Sequence, residues 1–166
     1  YLSDISRIDA AIMLKVLKLF VIILFLNQTS AKADFVKPNS DIEPDEVIKI
    51  QLKSLMKNDV PSKDNGIKQT WEFAHPSNQR FTGPLDNFTK MIKGDSYKML
   101  IGHIGHEISE IDNDNKRALY EVIILGPEKK YFKFRWQVEK FLEDGPLKNC
   151  WLTTVVSQPI PMGSST

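Results

Sequence analysis

From Pro44 onward, apolar side chains recur at intervals of three and four. Val47, Ile48, Leu52, Leu55 and Met56 fall on one side of a helix, with Lys49, Lys53 and Lys57 outside. Proline suits a first turn, and Asp45 and Glu46 favour the positive N-terminal end, so the pattern predicts a helix over residues 44–58. A second helix is expected over 67–75, with Ile67, Trp71 and Ala74 on one face and Pro76 as its stop. A third follows "TGP", with Gly83 as cap, Pro84 as first residue, Leu85, Phe88 and Ile92 as the stripe and Gly94 as the end.

After His106 the period changes from helical to alternating. Ile108 and Ile111 lead into the turn cluster "DNDN". Tyr120, Val122 and Ile124 then form one face of a strand, and Leu119, Ile123 and Leu125 form the other. In "YFKFRWQVEKF", Phe132, Phe134, Trp136 and Val138 point one way, and Lys133, Arg135, Gln137 and Glu139 the other. "EDGPLKN" is a turn and "CWLTTVVS" a last strand, leaving 159–166 as a tail. Helices first and a meander afterwards define an α+β domain over residues 44–158. Its helices should pack on one face of a curved antiparallel sheet of about four strands.

The stretch before this domain has another character. Lys15 and Lys18 precede the apolar run "LFVIILFL", and "AKA" follows a polar spacer. That order is expected of a cleavable secretory signal over 13–33, cut near Ala33, with 1–12 an upstream extension and 34–43 a loose lead-in. The apolar run is too short to span a bilayer, so no stable membrane insertion is expected once it is removed. Of 22 basic and 21 acidic side chains, four and two lie before residue 34, leaving 18 and 19. Such a near-neutral domain has no field to draw in nucleic acid. Cys150 is the sole cysteine, so no internal disulfide can form. An exported domain without disulfides suits a periplasm or a thylakoid lumen.

The run "GIKQTWEFAHPSNQRFTGPLDNFTKMI" resembles a family of small exported domains of unknown function from bacteria, cyanobacteria and plant plastids. The likeness continues in "IKIQLKSLMKND" before it and in Cys150-Trp151 after it, and spans nearly all of residues 43–156. It implies a fold similar to the nuclear-transport-factor-like and cystatin-like class, with helices lying across a curved sheet, and brings no activity with it. Folds of that type often leave a pocket between helices and sheet. Trp71, Phe73, Tyr97, Phe134 and Trp136 are the candidates to line it.

Candidate chemistry is sparse. "GHIGHE" brings His103, His106 and Glu107 together, but glycines interleave the histidines and the helical zinc spacing is missing, so no metal is expected. No phosphate-cradling loop, serine elbow or paired-acid spacing is present, and no cofactor is expected. The chain reads as a non-catalytic module that binds an apolar small ligand or a protein partner. The alternative is an enzyme in which His103 is a general base working with Glu107.

Overall fold

The computed structural model describes Lys15 and residues 34–164. The chain divides into two compact units after Lys32, and every element below lies in the second. The expected leader over 13–33 falls, apart from Lys15, outside the described residues. Among the described residues no helix is long and apolar enough to cross a membrane.

The α+β architecture is as the pattern predicts. Helix α1 (Pro44–Met56) opens on proline with Asp45 and Glu46 in its first turn, and buries Val47, Ile48, Leu52 and Leu55 completely. Helix α2 (Asn65–Glu72) begins earlier than expected, after Asp64, and also ends earlier, because residues 73–75 are pulled into the sheet. Thr153 N donates to Phe73 O at 2.8 Å and His75 N donates to Thr153 O at 2.9 Å. Pro76, expected only as a stop, also opens α3 (Pro76–Thr82). Proline has no N–H to lose in a first turn, and the His75 ring accepts from Ser77 N at 3.1 Å. Gly83, at φ 82°, terminates α3 instead of capping the next helix, and Pro84 takes that place before α4 (Leu85–Lys93). A 3-10 turn (Lys98–Leu100) leads into the sheet.

Strands β1 (Gly105–Asn113), β2 (Arg117–Leu125), β3 (Lys130–Lys140) and β4 (Trp151–Val156) form an open antiparallel meander. The segment expected as a tail carries a fifth strand, β5 (Ile160–Ser164), which pairs with β3. β4 lies against Trp136 to Lys140, and β5 against Lys130 to Lys133, so the two follow one another along one edge of β3. Ser157 joins them by exchanging hydrogen bonds with the Arg135 backbone at 2.9 Å each way. Sequence alternation did not reveal β5, because "IPMGS" has no apolar face to bury and all its residues are exposed.

The inner sheet face is a set of directly opposed pairs on β2 and β3. They are Ala118 with Val138, Tyr120 with Trp136, Val122 with Phe134, and Ile124 with Phe132. Except for half-buried Phe132, these side chains are removed from water. Together with the α1 stripe they make the core, each fully buried aliphatic or aromatic side chain contributing about 2 kcal/mol. Register shifts on β1, β4 and β5 bend the sheet.

Helices α1 and α2 meet at Gly66, where a Cβ would stand 2.1 Å from Ser54 O and 2.9 Å from Asn58 Cα. Only glycine allows that approach. Gly66→Ala should therefore lower stability by about 3 kcal/mol in urea unfolding. Gly105→Ala, where nothing lies within 4 Å of the added carbon, should stay within about 0.5 kcal/mol.

Candidate functional site

A cavity of about 240 Å³ opens between the helical layer and the β3–β4 end of the sheet. Trp71, Phe88, Met91 and Ile92 from α2 and α4, Tyr97 and Leu100 around the 3-10 turn, and Trp136 from β3 line its apolar part. Of the aromatic residues expected to line a pocket, Trp71, Tyr97 and Trp136 do so. Phe73 and Phe134 do not, being fully buried in the core. Trp71 and Phe88 face each other with ring centroids 4.9 Å apart. Phe81 of α3 also belongs to the lining, yet is 92% exposed, and Met91 and Val155 are exposed too, which gives the cavity an apolar rim in contact with water.

A polar network lies among the lining residues. Gln51, 1% exposed, sits on the apolar face of α1. Its Nε2 donates to Thr70 O at 3.1 Å, and its Oε1 accepts from Thr153 Oγ1 at 2.7 Å and from Trp136 Nε1 at 3.2 Å. One side chain thus links α1 to α2, β3 and β4. Thr70 Oγ1 donates to Gly66 O at 2.9 Å, and Tyr97 Oη donates to Val156 O at 3.1 Å. Asn78 Nδ2 donates to both Thr153 O and Thr154 O, covering the edge of β4. Among the described residues no buried side-chain polar atom lacks a partner. Sequence reading passed over Gln51. Its spacing, three after Ile48 and four before Leu55, is the signal that it must be buried and therefore bonded.

His103 and Glu107 do not form an acid–base pair. His103 is buried, its Nδ1–H donating to Leu100 O at 2.7 Å. Because a carbonyl can only accept, Nε2 of neutral His103 must accept from His106 Nδ1–H, 2.8 Å away. The left-handed turn at Gly102, φ 66°, swings His103 back over β1, so residues three apart come together. Glu107 follows on the opposite face of β1, exposed and bonded to neither histidine. Burial lowers the pKa of both rings, the charge of Lys53 lowering His106 further and His106 lowering His103. Among the described residues no cluster of three metal-ligating side chains occurs. Cys150 is buried and its thiol pKa is raised by that burial, so it acts as a small core side chain.

Compared with protein families, curated proteins and solved structures, the chain matches none.

Two measurements probe this arrangement. Gln51→Leu removes the acceptor of the buried Thr153 hydroxyl, leaving Trp136 N–H only Thr153 Oγ1 at 3.3 Å and Thr70 O only Phe73 N, and should cost about 2 kcal/mol in chemical denaturation. The second concerns acid. His103, His106 and His75 all have lowered folded-state pKa values, with desolvation the largest cause. The unfolded chain therefore binds more protons as pH falls through about 6.5, and stability present above that pH is progressively lost below it. Tm should drop between pH 7 and 5, and the drop should be shallower in a His103→Gln/His106→Gln variant, where His75 alone remains.

Proposed function

We propose that the protein is an exported, non-catalytic binding module that takes a small apolar ligand into the cavity between helices and sheet. The observation that carries the reading is the cavity itself: an apolar wall, an apolar rim open to water, and buried polar groups already bonded to one another. Such a site binds by burial and shape and has no group poised to attack or to move a proton. Helices packed with an open antiparallel sheet leave room for such a site, and the leader pattern over 13–33 supports export.

The test is isothermal titration of the protein with naphthalene-type compounds, compared with Met91→Trp. Met91 lines the cavity but is 38% exposed, so a larger side chain there obstructs entry without loading the core. Saturable 1:1 binding in the wild type, weakened tenfold or more in the variant at unchanged Tm, is the expected result. If the wild type takes up no apolar compound, or if the variant binds equally well, the cavity is not the binding site. A protein partner at the exposed rim would then be the better reading.

A further inference from the structure

We propose, resting on the cavity reading above, that the ligand class is a neutral, flat, two-ring aromatic molecule carrying one hydroxyl or N–H donor. Indole and naphthol have that size and chemistry. Size comes first. An apolar cavity of about 150 Å³ accepts benzene with its six non-hydrogen atoms, or about 25 Å³ per atom. A volume of about 240 Å³ then has room for roughly ten. Long acyl chains exceed that, and a single ring leaves it part empty.

Charge comes second. Among the seventeen lining residues there is no Lys, Arg, Asp, Glu or His. A carboxylate, phosphate or ammonium drawn inside would lose its hydration with nothing of opposite sign to replace it. The ligand is therefore uncharged where it is buried. Shape is set by the aromatic walls, Trp71 with Phe88 on one side and Tyr97 and Trp136 among the others, which favour a flat π-system over a branched aliphatic one.

The donor follows from how the lining's own hydrogens are used. The hydroxyl hydrogens of Thr70, Thr82, Thr153 and Tyr97 go to Gly66 O, Asn78 O, Gln51 Oε1 and Val156 O. Both Asn78 N–H groups go to β4 carbonyls, and Trp136 N–H goes to Gln51 Oε1 and Thr153 Oγ1. Thr70 Oγ1, Asn78 Oδ1, Thr82 Oγ1 and Tyr97 Oη keep lone pairs that no described residue uses. Trp71 Nε1–H and the second Gln51 Nε2 hydrogen are wall donors without a described partner. The lining thus offers four acceptors against two N–H hydrogens, and a ligand with a hydrogen to donate matches it best.

A calorimetric panel on the wild-type protein tests this at pH 7.5 with 2-naphthol, indole, 2-methoxynaphthalene, 2-naphthoate and palmitate. The expected order places 2-naphthol and indole first. 2-Methoxynaphthalene, which has no donor, should bind about fivefold more weakly than 2-naphthol. 2-Naphthoate should be at least a hundredfold weaker and palmitate should show no stoichiometric uptake. Equal binding of the ether and the naphthol overturns the donor assignment. Naphthoate or palmitate binding as tightly as naphthol overturns the ligand class while leaving the cavity as a binding site. No binding by any of the five overturns the cavity reading together with the class.

Discussion

Gln51 is the polar group around which the helical layer and the sheet are joined. A buried primary amide has two acceptor sites and two donor hydrogens, and leaving them bare would cost more than any single apolar contact nearby returns. The fold fills three of these four sites by drawing three separate elements to one point: the end of α2 through Thr70 O, the middle of β3 through Trp136 Nε1, and β4 through Thr153 Oγ1. Apolar packing alone tolerates sliding between helix and sheet. Directional bonds to three partners do not. The orientation of Trp136, whose ring is part of the cavity wall, follows from that constraint.

The cavity results from two features that hold the helices apart from this end of the sheet. Gly66 lets α2 approach α1 closely, so α2 packs toward α1 and not over β4. Residues 73–75 then leave the helix and pair with Thr153, so the chain runs alongside the sheet edge before α3 and α4 turn back across the opening. The extra residue in β4 opposite the Gln137–Val138 step bends the edge at the same place. Aromatic side chains are long enough to line the resulting space and too few to fill it.

The histidine pair belongs to the same assembly. Leu100 contributes its side chain to the cavity lining and its carbonyl to His103. One added proton can sit on His106 Nε2 and leave the Nδ1–H···Nε2 bond to His103 intact. A second proton would set two N–H groups against each other. The pair is thus a support for the wall, with a chemical limit on how much acid it can absorb.

Much of the architecture was legible in the sequence because it is written as period. The stripe of α1, the strict alternation of β3 and the turn clusters between strands each reflect which side chains must leave water, and water is the same solvent at every position. By itself the sequence determined the α+β class, the order of helices before strands and most of the core. What it could not determine depended on partners distant along the chain. Trp71, Tyr97 and Trp136 line the cavity while Phe73 and Phe134 are sealed in the core, although all five are aromatic. β5 has no burial pattern and exists because β3 offers it an open row of backbone groups. His103 meets His106 and not Glu107 because of one left-handed glycine. Hydrogen bonds and voids are properties of pairs and of gaps between elements, so only tertiary structure decided them.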